Sequence, residues 1–308
     1  MTQAHTSSTS DSSAASPQPA ANQAVVQAAI SEISHIATLP EVTMKIIQLV
    51  ENPESTAQDL NRIISNDPAL GARILKVVNS AFYGLPGQIG SINRAIVLLG
   101  LNAVKNIAIA ASLAKLFRGG RISPNFNARD LWTNAIASAT ATRLLADRVG
   151  LGLPDEAFLA GLIHDLGILV EIQARRPKFI EVLDKLEADP NLTLRDAEMQ
   201  VIGATHEHFG AALCKLWKFP TSFAHVTGYH HHPWDLPANH RTLAGLVHVS
   251  DVLSARLQIG FTRGVESTEY HGDLLTQLRI NDAMLQDISE LMPEAMEEAK
   301  SLFADVVA

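Results

Sequence analysis

The dipeptide His164-Asp165 sits inside an apolar stretch, Phe158-Leu159-Ala160-Gly161-Leu162-Ile163-His164-Asp165-Leu166-Gly167. Two titratable groups in the middle of an apolar helix are costly to bury unless they pair with each other or hold a metal. Neighbouring positions on a helix differ by about 100°, yet both reach one cavity when the helix lines it. An imidazole and a carboxylate together suit a borderline or hard divalent cation. The competing reading is a buried His–Asp hydrogen bond that pins two helices. The dipeptide alone weighs the two about equally.

Eight of the twelve histidines fall between His206 and His248, so further imidazoles are available to join the pair. They include His206, His208, the triplet His230-His231-His232, and His248. Asp251 follows His248 by three positions and shares its face of a predicted helix. Several of these must be surface residues. His232 precedes Pro233 at a helix end, His240 sits in a loop, and a polyhistidine triplet is more often adventitious than functional. Cys214 is the single cysteine, which excludes an intramolecular disulfide and fits a reducing cytoplasm. It reads as a small apolar helix residue in preference to a catalytic thiol.

Helices must position these groups. Apolar residues recur at helical spacing from Gln23 onward. In Glu41 to Val50, Met44, Ile47 and Val50 share one face, with Ile46 and Leu49 beside it. Ser55 with Gln58 reads as a capping box for a short helix through Ile64. Asp67-Pro68 reads as an N-cap followed by proline at the first helical position. Ser91 caps Ile92 to Leu99, Gly100 ends that helix, and an apolar helix from Leu101 to Phe117 closes the first half. Arg118 to Asn127, with Gly119-Gly120 and Pro124, is the best subdomain boundary. Beyond it the spacing predicts helices over Ala128 to Val149, Asp155 to Gln173, Lys178 to Ala188, Glu207 to Lys218, Thr221 to His231 and Arg241 to Leu257. A C-terminal pair follows, Asp273 to Leu278 and Asp282 to Val307. No convincing alternating run appears, so the expected fold is all-α.

Composition agrees and bounds the function. Aromatic residues make up only 5%, so Leu, Ile, Val and Ala must do most of the packing, which leans towards helices. The net charge is −8 with no block of lysines or arginines, which argues against direct nucleic-acid binding. No uninterrupted apolar run reaches the roughly 18 residues of a membrane span, and no basic segment precedes an apolar one at the N-terminus. The expected location is the cytoplasm. Residues 1–22, rich in Ser and Ala, read as a disordered tail that cannot bury enough apolar surface to offset its ordering entropy.

The first half carries Leu39-Pro40, Asn66-Asp67-Pro68-Ala69-Leu70-Gly71-Ala72-Arg73-Ile74-Leu75-Lys76, Asn79-Ser80-Ala81-Phe82-Tyr83-Gly84, Ile89, Ser91-Ile92 and Ala95-Ile96-Val97-Leu98-Leu99-Gly100. The second half carries Leu131-Trp132, Gly161 to Gly167, Glu198, Gly203, His206, Gly210, Trp217, Pro220 and His230-His231. In these motifs the chain resembles the HDOD family of bacterial signalling domains. The match runs in one order from about Ile33 to Leu257. It implies two packed helical subdomains: an HDOD-specific bundle over 23–126 and an HD-like helical bundle over 127–260. C-terminal helices over 261–308 pack back onto them.

The HDOD family is similar to the HD phosphohydrolase superfamily and to the HD-GYP phosphodiesterases of cyclic di-GMP, in which a bound metal supplies the attacking hydroxide. Carried over position by position, the implied ligands are His164, Asp165, His206, His230, His231 and Asp251, and the metal Fe, Mn or Zn. Three departures follow. Asn134 stands where those enzymes have their first histidine, and a neutral amide is a poorer ligand. Ile168 replaces the lysine of HD-x-G-K, removing a cation that would neutralise phosphate. The GYP element is absent, and Gly228-Tyr229-His230 does not substitute for it. The resemblance therefore implies a signal-transduction module with no catalytic residues, acting by partner or ligand binding through a degenerate HD site. Its partners would be receiver, diguanylate-cyclase or phosphodiesterase proteins, and a homodimer is allowed. The alternative is a metal-dependent phosphohydrolase acting on a nucleotide or cyclic dinucleotide. Asp67 reads as a cap, Asn79 and Ser80 as a helix terminus, and Phe82-Tyr83 as a staple.

Overall fold

A computed structural model describes residues 17–32, 41–52, 54–117, 119–124 and 126–307. Most of the Ser/Ala-rich tail lies outside the described residues, as do His5, His35 and Leu39-Pro40. The described part begins at a helix, α1 (Pro17–Glu32), whose first residues belong to the stretch read as tail.

The first half holds α2 (Glu41–Glu51), α3 (Ala57–Ser65), α4 (Pro68–Val78), α5 (Ile92–Leu99) and α6 (Leu101–Leu113), the last running into a 3-10 turn at Ala114–Phe117. Local chemistry fixes the ends of these helices. Asp67 accepts a 2.9 Å hydrogen bond from the Leu70 amide, with Pro68 opening α4. Ser91 accepts from Arg94 N at 3.2 Å, and Gly100, at φ 90°, ends α5 and starts α6. The expected capping box is shifted by one residue. Thr56 caps α3 with Asp59 as its partner. Ser55 instead accepts from Lys105 Nζ at 2.8 Å, and that buried ammonium also donates to Leu49 O at 2.7 Å. Lys105 thus closes the C-terminal turn of α2, where a cation complements the exposed carbonyls.

The boundary segment holds two strands, β1 (Arg121–Ser123) and β2 (Phe126–Asn127), antiparallel and too short to show as alternation in the sequence. The second half then runs α7 (Ala128–Arg148), α8 (Pro154–Ile163), α9 (Leu166–Ala174), α10 (Arg176–Ala188), α11 (Leu194–Val201), α12 (His206–Leu216), α13 (Thr221–Tyr229) and α14 (Arg241–Arg256). The chain closes with α15 (Gly272–Leu278) and α16 (Asp282–Val307). The fold is all-α apart from the small hairpin. Sequence spacing does not anticipate α11, a polar helix of eight residues.

Helix α7 is the axis of the second half, packed by α8, α14 and α16. Its alanines make that possible: a Cβ on Gly161 of α8 would lie 2.6 Å from the Cα of Ala139. Leu285, Ile288, Met292 and Met296 of α16 cover Ala137, Ala141 and Leu145 of α7. Helix α1 packs on α9 and α12.

One sequence expectation about the apolar stretch at His164 is corrected. The stretch is not one helix: α8 ends at Ile163 and α9 begins at Leu166, with Asp165 leaving helical geometry at φ −97°, ψ 18°. The span Pro154–Ala174 is also long and apolar enough to cross a membrane by composition. Yet 89% of its apolar window is buried inside the protein, so this hydrophobicity serves the core.

Candidate metal centre

The break between α8 and α9 puts His164 and Asp165 at a corner, where both side chains turn to the same interior space. The C-terminal end of α13 brings His230 and His231 there, the first turn of α12 brings His206, and α14 brings Asp251. All six are 5% exposed or less.

One donor atom each from Asp165, His206, His230 and His231 lie within 4.8 Å of one another. His206 Nε2 is 2.9 Å from His231 Nε2, 3.4 Å from His230 Nε2 and 3.6 Å from Asp165 Oδ1; His230 Nε2 is 3.3 Å from the same Oδ1. His164 and Asp251 form a second group on the other side of Asp165. His164 Nε2 is 3.2 Å from Asp165 Oδ2 and 3.5 Å from Asp251 Oδ1. Asp165 faces the two groups with different oxygens.

The opposite ring nitrogens are already engaged. Nδ1 of His164 donates to Gly161 O at 2.7 Å, that of His230 to Val226 O at 3.2 Å, and that of His206 to the Glu198 carboxylate at 2.8 Å. Engaged Nδ1 atoms set the tautomer and turn each Nε2 lone pair inward, the arrangement by which outer groups orient histidine ligands. Ligand atoms at about 2.0–2.2 Å from a tetrahedral ion stand roughly 3.3–3.6 Å apart. The His206–His230, His230–Asp165 and His206–Asp165 separations match that edge. His164 Nε2 is buried with no hydrogen bond of good geometry among the described residues, an orphan that a cation would satisfy. The donor set fits a divalent cation.

Without one, protons do the same work. Burial opposes charge on His206, but Glu198 outweighs it and holds the imidazolium up to about 9. Burial likewise opposes charge on His164, and Asp165 and Asp251 hold it well above the usual histidine value. Burial alone would raise Asp165, yet His164 keeps it well below the carboxylate range. His231 goes the other way, pushed well down by burial and by His230 and His206.

Asn134 sits at the edge of this cluster. Its Nδ2 donates to Asp251 Oδ1 at 3.1 Å, beside a 3.1 Å bond from Ser138 Oγ, while its own Oδ1 is buried with no partner among the described residues. Ile168 is fully buried in the core. The other histidines have separate employment. His208 Nδ1 accepts from Thr205 N in the cap of α12, and His232 meets Arg195 and Glu266. His240 lies against His225, and His248 Nδ1 donates to His230 O at 2.8 Å. Cys214 is buried, its thiol pushed up to about 12 by desolvation, and is inert as expected.

Two residues escape a sequence reading of the site. Glu171, on α9, is fully buried with no donor among the described residues reaching either oxygen. Burial first and Glu198 second hold its carboxyl well above the usual range, and Glu198 in turn orients His206. Arg195, on α11, binds Glu207 through Nε at 2.6 Å and also meets Glu266. A single Glu in an apolar helix, as at Glu171, is the signal that would have marked the first. The second depends on tertiary contacts alone.

The model of the HDOD domain matches residues 36–233 of this chain, well over half of it. The chain belongs to the HDOD domain family. An uncharacterized protein of Treponema pallidum is 28% identical over 235 residues, 75% of this chain and 44% of that one, so the chain spans under half the length of that curated relative. Among solved structures, an HDOD domain protein of unknown function from Geobacter sulfurreducens superposes with a TM-score of 0.77 at 21% identity, over 92% of this chain and 98% of its own. A provisionally named signal transduction protein from Marinobacter aquaeolei gives 0.74 at 23%, over 94% and 66%. A provisionally named phosphohydrolase from Shewanella amazonensis gives 0.70 at 24%, over 91% and 98%. At these identities the likeness establishes the HDOD fold.

Proposed function

We propose that this HDOD protein is a bacterial signalling module that binds a divalent metal and a small ligand at its HD site and acts through partner proteins without turnover. One observation carries the non-catalytic part. The cavity of about 270 Å³ that opens beside the cluster is walled by Asp251, Glu266 and Glu269, and no lysine or arginine among the described residues lines it. Phosphoryl transfer needs preorganised positive groups where charge develops on the phosphate oxygens. Guanidinium groups that touch the cavity wall are already engaged: Arg195 is held by Glu207 and Glu266, and Arg256 lies over the ring of Tyr270, 4.8 Å from its centroid.

His206, His230, His231 and Asp165 would hold the metal, Fe, Mn or Zn by the mixed imidazole–carboxylate set, with His164 and Asp251 beside them. Bound there, the ion would supply Lewis acidity and fix the geometry of a ligand. Receiver, diguanylate-cyclase or phosphodiesterase proteins are the proposed partners, with the cytoplasm as the proposed location.

The convergent Nε2 atoms favour a second reading, a metal-dependent phosphohydrolase acting on a nucleotide. One comparison separates the two. Protein purified without a histidine tag is assayed for bound metal and for phosphodiesterase and nucleotidase activity, next to Asn134→His and the double variant His164→Ala, Asp165→Ala. The signalling reading predicts metal in the wild type, no turnover in any variant, and folded double-variant protein. Metal-dependent turnover in the wild type that disappears in the double variant would establish the enzyme instead.

A further inference from the structure

The cavity beside the cluster has a chemistry of its own. Its inner wall is His231 and Asp251, so whatever occupies it touches the metal centre. Its outer wall comes from residues 265–271, part of the fifteen-residue connection 257–271 between α14 and α15. Connections of that length without regular structure are uncommon in packed domains and are usually functional.

This connection is a strap held at several points. At one end Gly260, at φ 71°, lies so close to α7 that a Cβ there would collide with the Asn134 amide, and Phe261 N donates to Asp130 O at 3.1 Å. In the middle, a Cβ on Gly264 would lie 3.9 Å from Asp165 Oδ2, so the strap crosses directly over the cluster. Beside it Arg263 donates to Leu192 O at 2.9 Å, and further along Glu266 meets Arg195 and His232. The strap brings Glu266, Glu269 and Tyr270 to face Trp234 and Asp251 across the cavity.

Charge decides what fits. Glu266 is balanced by Arg195 and Asp251 faces His164, while Glu269 adds negative potential that no lysine or arginine lining the cavity offsets. Like charges brought into such a partly desolvated space repel by more than they would in water. Trp234 and Tyr270 add ring quadrupoles, which attract cations and not anions. The volume of about 270 Å³ is also below the roughly 300–1,000 Å³ that buries a drug-sized ligand. A cyclic dinucleotide, with two phosphates and two bases, is excluded on both counts.

We propose that this cavity is a binding site for a compact organic cation, a protonated amine held by Glu269 against Trp234 and Tyr270. The site lies against the metal centre, and the proposal deepens the ligand-binding reading above.

Benzylamine tests it, with benzyl alcohol as its uncharged counterpart and inorganic phosphate and cyclic di-GMP as anionic competitors. Binding is followed by calorimetry on full-length protein, once metal-loaded and once after chelation, with metal content measured separately. Benzylamine binds, benzyl alcohol binds at least tenfold more weakly, and neither anion displaces the amine. Glu269→Gln weakens benzylamine by up to about fivefold, the range for one partly exposed charge, and Glu269→Lys abolishes it. Glu269 is exposed, so these variants fold. Equal binding of amine and alcohol, or displacement of the amine by cyclic di-GMP, overturns the proposal. Amine binding to protein that never holds metal leaves the proposal standing and sinks the metal reading; metal-loaded protein that ignores benzylamine does the reverse.

Discussion

Tyr83 Oη donates a 2.6 Å hydrogen bond to Oδ1 of Asp155, a residue in the first turn of the helix that ends at the HD dipeptide. Arg143 of α7 binds the same oxygen at 2.8 Å and lies over the rings of Phe82 and Tyr83, 4.2 and 4.8 Å from their centroids. The Asn79 to Gly84 motif therefore does more than staple its own turn. It clasps the first bundle to α7 and α8, which carry Asn134 and lead to His164.

Removing that hydroxyl leaves Asp155 with Arg143 alone. Tyr83→Phe should cost about 1–3 kcal/mol, the range for a partly buried hydrogen bond to a charged group. Asp155→Ala should cost more, because it strands both the phenol and the guanidinium. Urea unfolding of the three proteins checks this. A Tyr83→Phe variant as stable as wild type would show the clasp to be energetically idle.

Gly167 sets how closely α9 approaches α12. A Cβ at that position would fall inside the carbonyl of His206, a backbone atom that cannot rotate away. Gly167→Ala should therefore push the two helices apart, lower stability by about 3 kcal/mol or more, and empty the metal centre by moving His206. Gly210→Ala is the control on the facing helix. Its Cβ would meet Thr227 Cβ at 3.1 Å, which a small shift relieves, so metal content should survive. Thermal melting with elemental analysis reads both effects.

The sequence made the scaffold legible because helical spacing and caps are local. Asp67-Pro68, Ser91 and Gly100 mark ends that the structure places at the same residues, and α15 and α16 fall within a residue of their expected starts. The corner at His164-Asp165 was not legible. Both flanks are apolar and helical in pattern, and the break is imposed by interior groups that the dipeptide must face. Glu198 stood out by resemblance, but its bond to His206 Nδ1 and its effect on the Glu171 carboxyl depend on α11 meeting α9 and α12. No spacing within one helix encodes that meeting.

Glu171 should make stability fall with pH. Its unfolded carboxyl ionises near 4.5, while burial and Glu198 keep the folded group protonated well above that. An acid whose folded value is raised contributes its full stability below about pH 4.5 and loses it as pH rises towards the folded value. Glu171→Gln keeps the shape and the donor without the titration. At pH 8 the variant should be more stable than wild type by about 1–3 kcal/mol, and the gap should close towards pH 5. Urea midpoints across that range decide it, and a gap that widens at low pH would contradict the raised value of Glu171.

Metal affinity should rise with pH, and the sign follows from His206. In the metal-free protein Glu198 outweighs burial and holds its imidazolium up to about 9. That charge contributes stability fully below about 6.5, the unfolded value, and loses it as pH rises through about 9. A metal needs the Nε2 lone pair, so below about 9 binding must expel this proton, and His164 adds a second if it also ligates. Affinity should then increase about tenfold per pH unit for each proton released. Calorimetric titration with Mn²⁺ in buffers of different ionisation enthalpy counts those protons directly. Release of one proton at pH 7 assigns the ion to the His206, His230, His231 and Asp165 group, and release of two draws in His164. A pH-independent affinity would mean that the ion binds elsewhere, since no cation can share His206 Nε2 with a proton.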